Sequence, residues 1–408
     1  MSDSLHNIQH KVLMSMPMKY LWKLLGIVFP ALIWVSCIVP YEPEELVNLD
    51  DIIVVEGNIA LTGPFSIRIT RSTPISSYQY GHKTINIERN ANVFVRNRQG
   101  KKYSPNSVTA QGEYLFDFSP ENPNQEEEYQ LVIESQDGRS YETDFRKSRH
   151  SSDMELNYKI DTVAEKISIY VSSHDQAGLS RYYYWQYSET WDYVSQRPAY
   201  CYFDVSSVKE TNNFKPWMYR CWNSRASSEI LLVETSSLVQ DRIKDLEIHS
   251  INFRDIRITQ HYSIDVIQTV LDNDAYLYME NMRKNSYDIG DIFSPQPNEI
   301  SGNIRCVTDP SVRAIGFVSV CNSVRKMLFI NCVGLPGYIR EPMPPDTIVP
   351  LDAKVGFMLS LIQQGYSPHT IDPLAKVSYW NLTRCIDCRN KGGKPVVPPF
   401  WPVEWPWF

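Results

Sequence analysis

Apolar and polar residues alternate along much of the chain beyond residue 51, and this period of two constrains the fold more than any other feature. The stretch 65–70 alternates strictly, with apolar residues at 65, 67 and 69. Successive side chains of a strand point to opposite faces of a sheet, so this pattern is typical of half-buried β-strands. Similar stretches between turn residues lie at 52–59, 91–97, 112–116 and 129–133. Several short strands at this spacing predict an N-terminal β-sandwich over 50–147.

A second β-rich region follows a polar segment, 148–157, whose composition indicates a linker. Its strand-like stretches are 167–171, 251–253, 256–258, 262–266, 315–320 and 326–330. Apolar residues at 271, 275, 278 and 282 instead form one helical stripe, which predicts a helix near 272–285. A second helix could form over 353–364. We therefore expect a mainly β protein with a second, sandwich-like domain over 148–384 and one or two packed helices, followed by a Cys-, Pro- and Trp-rich tail, 385–408.

The first 36 residues have the layout of an export signal. Lys19 and Lys23 precede the apolar run 24–35, and a small residue, Ser36, follows that run. The run contains Pro30 and falls short of the roughly 20 apolar residues that a membrane-spanning helix needs. The sequence therefore predicts a signal peptide over 1–36.

Cys37, directly after Val35 and Ser36, resembles the cysteine of a bacterial lipobox, which is acylated and becomes the mature N-terminus. The alternative is a simple signal peptide with an incidental cysteine. Acyl chains would anchor the protein at a membrane, because each buried methylene contributes about 0.8 kcal/mol. Residues 37–49, with two prolines and several acids, suit an extended tether. We expect an outer-membrane protein on a lipid anchor, facing the cell surface.

Charge and motifs exclude several functions. The chain has 40 basic and 47 acidic residues, and its net charge of −7 argues against nucleic-acid binding, which needs a basic face. The sequence has no HExxH motif, nucleophile elbow, Walker loop or dinucleotide fingerprint. We therefore predict no catalytic residues, no metal site and no cofactor.

Four cysteines are candidates for disulfides. Cys385 and Cys388 form a lone CxxC motif, for which a local disulfide pinning the tail is favoured over a metal or redox site. Cys201 and Cys221 flank an aromatic-rich segment and could close one loop. The sequence does not determine the connectivity.

The segment 182–222 contains fourteen aromatic residues and is the best candidate for contact with a ligand or a partner. Exposed tyrosines and tryptophans offer broad, stiff faces for binding. The candidates are Tyr182, Tyr184, Trp191, Trp217 and Trp222. The alternative is that residues of one strand face, among them Tyr183, Trp185 and Tyr187, fill the core between two sheets.

An ordered set of segments resembles the domain-of-unknown-function family 4249 of Bacteroidota outer-membrane lipoproteins. The segments are 54–59, 91–95, 112–114, 129–131, 137–141, 262–268, 275–278, 292–297, 300–304, 315–317 and the ending 385–401. The resemblance covers nearly the whole chain after Cys37. It implies an N-terminal sandwich of the immunoglobulin-like or carboxypeptidase-regulatory-like kind, and it carries over no catalytic residues.

The resemblance also implies a partner, because members of this family look like lipoproteins encoded beside TonB-dependent receptors. We expect an accessory or ligand-capture partner of such a receptor in nutrient uptake. The alternative is a surface adhesin or polymer-binding lipoprotein that has no transporter partner.

Overall fold

The structure, a computed structural model, is mainly β. It describes residues 52–402 except 62, 74–85, 118–126, 177, 179, 212–215, 239, 288–301 and 336–341. All of these belong to one unit, 50–408. The predicted signal peptide and tether, including Cys37, lie outside the described residues. Among the helices that the structure describes, none combines the length and the apolar character needed to cross a membrane.

The predicted N-terminal β-sandwich is confirmed. The strands of its first sheet are, in spatial order, Ala314–Ile315, Ile53–Gly57, Pro64–Arg71, Glu113–Asp117 and Ser107–Val108, with Asn86–Ile87 beside the third. Those of the second sheet are Ile304–Cys306, Ser140–Thr143, Glu128–Glu134, Asn92–Asn97 and Lys102–Tyr103, with Arg146–Lys147 beside the third. The alternation of 65–70 has the expected result, because Ile67 and Ile69 are fully buried in the core that joins the sheets.

Residues 302–322 belong to this first sandwich, although they lie within the predicted second domain, 148–384. Ile304–Cys306 pairs with Ser140–Thr143, and Ala314–Ile315 pairs in parallel with residues 53 and 54. The backbone at Gly316 lies very close to that of Val55. Only glycine fits there, because a Cβ on Gly316 would lie 2.1 Å from the carbonyl oxygen of Val55. The second domain is therefore not continuous in sequence. At the end of this segment, Val320–Asn322 forms a small parallel sheet with Arg149–His150 on one side and Ile59–Ala60 on the other.

The second region is also a sandwich of two sheets. Its three-stranded sheet contains Met154–Asp161, Lys166–His174 and Arg242–Asn252. The facing sheet contains Arg220–Ala226, Tyr182–Val194, His261–Leu271 and Val324–Asn331, with Leu231–Glu234 paired to the start of the second. One hydrophobic cluster joins the inner faces of these two sheets.

Two local predictions in this region are wrong. The predicted linker, 148–157, contains a strand of the small parallel sheet and the start of the edge strand Met154–Asp161, whose side chains are polar because most of them face solvent. The predicted strand 256–258 is a 3-10 helix, Ile256–Ile258. Asp255 caps that helix by accepting a hydrogen bond from the backbone N–H of Arg257, at 2.9 Å.

Both predicted helices are present. The first, Asn273–Tyr287, starts at Asp272, whose Oδ1 accepts the backbone N–H of Ala275 at 2.8 Å. The second, Val355–Gln363, packs on a sheet of Thr347–Pro350, Val377–Leu382 and Tyr366–Asp372, together with the hairpin Cys201–Asp204 and Ser207–Glu210. Short helices lie at Pro216–Tyr219, Thr383–Ile386 and, in 3-10 form, Cys388–Lys391.

Arg146 links the two sandwiches. From the end of the first sandwich it donates to Asp272 at 2.6 Å and to Asp274 at 3.1 Å, both at the start of the long helix. Its guanidinium also lies 4.7 Å from the ring centre of Phe317. Charge-assisted hydrogen bonds of this kind are about twice as strong as neutral ones.

Candidate functional site

The aromatic strand Tyr182–Val194 faces the core. Tyr183, Trp185 and Tyr187 point into the hydrophobic cluster between the sheets, as the alternative interpretation predicted. Trp185 is fully buried, and its Nε1 donates to Oε1 of Gln268 at 3.1 Å. These side chains therefore hold the second sandwich together.

The predicted outward contact surface does not hold for three of its five residues. Tyr184, Trp191 and Trp222 are all buried, because both faces of their sheet are covered. Tyr184 packs beneath the long helix, and Trp222 lies edge-on to Trp401 of the tail, with 6.4 Å between ring centres. The partly exposed Tyr182 packs against Tyr276 of that helix. The side chain of Trp217 lies outside the described part of the structure.

The disulfide differs from both predicted pairings. Cys221 is bonded to Cys388, with their Cα atoms 5.7 Å apart, so neither a Cys385–Cys388 nor a Cys201–Cys221 disulfide is present. Cys201 and Cys385 are buried and do not belong to this disulfide. The tail runs beside the strand of Cys221, where Lys394 and Trp222 exchange backbone hydrogen bonds of 2.8 and 2.9 Å. The disulfide therefore fastens the tail to the second sandwich, rather than closing a loop within the tail.

Glu189 is a fully buried carboxylate within the aromatic strand. Oε2 accepts from Arg225 at 2.8 Å, and Oε1 accepts from Arg257, from the hydroxyl of Tyr262 at 2.8 Å and from Nε2 of His249 at 3.0 Å. Burial alone would raise the pKa of Glu189, but the hydrogen bond with His249 and the charge of Arg257 lower it to about 2. The ionised carboxylate thus ties together four strands and the 3-10 helix.

A second buried carboxylate, Asp192, lies three residues further along the same strand. Its Oδ2 accepts from Nε of Arg220 at 2.6 Å, and its Oδ1 accepts the backbone N–H of His261 at 2.8 Å. Asp192 is fully buried, and both partners are almost so. Such pairs resist disruption, because removing one partner leaves a charge buried without compensation.

Tyr187, His249 and Glu189 form a hydroxyl–imidazole–carboxylate chain, the set of groups that nucleophilic enzymes use. The hydroxyl of Tyr187 lies 3.0 Å from Nδ1 of His249. An activated nucleophile requires a lowered pKa, whereas burial raises the pKa of Tyr187. Arginine side chains also donate hydrogen bonds to the Glu189 carboxylate of this hydroxyl–imidazole–carboxylate set. The geometry therefore indicates a structural role for the three side chains.

A polar groove of about 330 Å³ lies at one end of the three-stranded sheet, and we take it as the candidate site. The residues that line it are Asp153, Glu155, Ser172, Ser173, His174, Gln176, Arg242, Ile243, Lys244 and Asp245. Small-ligand sites typically have volumes of roughly 300–1,000 Å³, so the groove suits a small molecule or a short segment of chain.

A β-bulge shapes the groove. The pairing between the second and third strands shifts between Val171 and Ser173, which leaves Lys244 and Asp245 opposite Ser172. Asp245 has a φ of +48°, a left-handed conformation that is uncommon outside glycine. Its backbone N–H donates to Oγ of Ser172 at 2.9 Å. Bulges re-aim side chains and are frequent near functional sites.

Sequence reasoning missed this groove, although each of its strands carries a visible signal. The triplets 153–155 and 242–244 place charged residues on either side of one apolar residue, which is the alternation of a strand with an outward polar face. They lie almost ninety residues apart, and only the pairing through 172–174 brings them together. The described residues contain no group of three His, Cys, Asp or Glu side chains that could hold a metal ion.

The fold and the groove define a mainly β protein of two linked sandwiches. The sequence matches the family described as "Domain of unknown function (DUF4249)" over residues 38–327, more than half of the chain, and the protein belongs to this family. No curated protein is significantly similar to it in sequence. A similar solved chain comes from "Cytokine receptor complex - Crystal form 1A", with 8% identity over 53% of this chain and 84% of that chain. Its TM-score of 0.17 carries no argument about fold or function.

Proposed function

We propose that the protein is an outer-membrane lipoprotein, anchored through Cys37, that acts as an accessory or ligand-capture partner of a TonB-dependent receptor. The observation that carries the proposal is the cysteine placed directly after a basic and apolar export signal. The match to the family supports it, because that match starts at residue 38, the position after Cys37.

The two-sandwich body suits a capture role. The unit that contains both sandwiches begins at residue 50, so twelve residues separate it from Cys37. A fully extended chain spans at most about 3.6 Å per residue, so a segment of this length can reach no further than about 43 Å. An anchored body stays beside a receptor in the same membrane, and its high effective concentration removes the need for tight intrinsic affinity. The groove on the second sandwich supplies a place for a ligand.

The proposal is tested by affinity purification of the tagged protein from its own membranes in mild detergent, with Cys37→Ala as the control. We expect a receptor barrel to be recovered with the wild-type protein and lost with the variant. Tryptophan fluorescence of both forms would show whether the variant is still folded. Recovery of the wild-type protein alone would contradict the receptor partnership, and retention in the membrane fraction would then favour a surface adhesin.

A further inference from the structure

The groove has an acidic wall and a basic wall on opposite edges of one sheet. The register places Met154, Ser173 and Ile243 side by side, and all three are buried. Their neighbours in sequence therefore point to the outer face. The acidic wall consists of Asp153 and Glu155, the floor of Ser172 and His174, and the basic wall of Arg242 and Lys244, with Asp245 beside Lys244 at the bulge.

Several of these charges have no partner among the residues that the structure describes. In the part of the chain that the structure describes, no ion pair or side-chain hydrogen bond involves Glu155, Arg242 or Lys244. Asp153 differs, because it pairs with Lys326 at 3.0 Å. Opposite charges that line one groove without neutralising each other remain available to a ligand that carries both signs.

The floor of the groove offers hydrogen bonds between the walls. The hydroxyl of Ser172 accepts from the backbone of Asp245, which leaves its own hydrogen available for a ligand. Nδ1 of His174 lies 2.7 Å from the carbonyl oxygen of Asp241 and must donate to it, so Nε2 remains for a ligand. Peptide groups carry matching donors and acceptors.

The spacing of the walls sets the length of the ligand. Neighbouring strands lie about 4.8 Å apart, so the two edge strands are separated by about 10 Å. An extended peptide covers this distance with about three residues. The lining residues include no Phe, Tyr or Trp, which disfavours a sugar that needs a broad ring to stack on. A simple anion would meet the acidic wall, and a simple cation would meet the basic wall.

We propose that this groove binds short zwitterionic peptides of about three residues. The terminal ammonium pairs with Glu155, the terminal carboxylate pairs with Arg242 and Lys244, and the peptide groups contact Ser172 and His174. The use of this site in uptake rests on the proposed ligand-capture function. Binding itself is measured without a receptor, so the two proposals can fail separately.

The experiment is titration calorimetry of the full-length protein in detergent with trialanine, N-acetyl-trialanine and trialanine amide. We expect trialanine to bind, and each capped peptide to bind about tenfold more weakly because one terminal charge is lost. Glu155→Gln should weaken the binding of trialanine by a similar factor without affecting the binding of the acetylated peptide. Lys244→Gln should weaken the binding of trialanine without affecting the binding of trialanine amide. This crossed pattern assigns each end of the peptide to one wall.

Charge-matched controls lie outside the groove. Glu210→Gln and Lys354→Gln each remove one exposed charge elsewhere and should leave trialanine binding unchanged. Circular dichroism of every variant would establish that it is folded. Absence of trialanine binding at about 10 mM, or equal binding of all three peptides, would overturn the proposal. Failure to recover a receptor in the purification would leave this measurement unaffected.

Discussion

The two sandwiches differ in what they bury between their sheets. The first has a core of aliphatic and aromatic residues, and the described residues of that sandwich include no buried carboxylate. The second buries Glu189 between its sheets and Asp192 on the opposite face of the same strand, both completely and with arginines as partners. Both cores arise from the same period of two, so the alternation fixes which side chains turn inward and leaves their chemistry open. The second sandwich should therefore depend on charge pairing as well as on apolar burial.

Tryptophan fluorescence separates the two regions. Every tryptophan beyond residue 36 lies outside both 50–147 and 302–322, the parts of the chain that form the first sandwich. A change in tryptophan emission during unfolding therefore reports on the second region, while circular dichroism reports on both.

The largest expected effect is at the buried carboxylate. Glu189→Gln should destabilise the second region by about 3–5 kcal/mol, because it removes the buried charge that His249 and Arg257 share and leaves Arg257 with Asp255 alone. Urea unfolding followed by tryptophan fluorescence measures this loss. Glu128→Gln is the matched control in the first sandwich, where an exposed pair with Arg98 contributes at most about 1 kcal/mol. Equal losses would mean that burial of charge does not distinguish the sandwiches.

Acid should act on the second region before the first. The pKa of Glu189 is lowered from 4.5 to about 2, so its stabilisation is complete above pH 4.5 and is lost as the pH falls towards 2. The difference corresponds to a loss on the order of 3 kcal/mol. Urea midpoints from tryptophan fluorescence between pH 7 and pH 2.5 test this. In Glu189→Gln the urea midpoint should depend less on pH. If its pH dependence were unchanged, the acid effect could not be assigned to Glu189.

Loss of the disulfide should have a somewhat smaller effect, again confined to the second region. Cys388→Ala frees the tail from Cys221 and should cost about 2–4 kcal/mol, because the unfolded chain is no longer constrained. Thermal unfolding under non-reducing conditions measures the change. The wild-type protein treated with a reductant should match the variant. If reduction left the transition unchanged, the bond would not contribute to stability.

Arg146→Ala tests whether the two regions unfold together. It removes the bonds to Asp272 and Asp274 and should cost about 1.5–3 kcal/mol, with the fluorescence and dichroism transitions moving apart. Arg149→Ala is the control, since that nearby arginine is exposed. Transitions that still coincide in Arg146→Ala would show that this residue does not couple the sandwiches.

The sequence predicted the elements whose pattern is local. The strict alternation of 65–70 became the strand Pro64–Arg71, and the stripe at 271–282 became the helix Asn273–Tyr287. It failed at 148–157, because an edge strand that faces solvent has the polar composition of a linker. The groove could not be predicted, because Glu155 and Lys244 come together only through strand pairing across almost ninety residues.

The return of residues 302–322 to the first sandwich has a consequence for the order in which the protein folds. During synthesis, residues 50–147 emerge from the ribosome well before the strands that complete both of their sheets. Until those strands arrive, Ile53 and Tyr141 lie on open sheet edges, which attract other extended chains. The first sandwich is thus the first to emerge, yet its sheets stay open until residues 302–322 arrive, shortly before Val324–Asn331 completes the second sandwich.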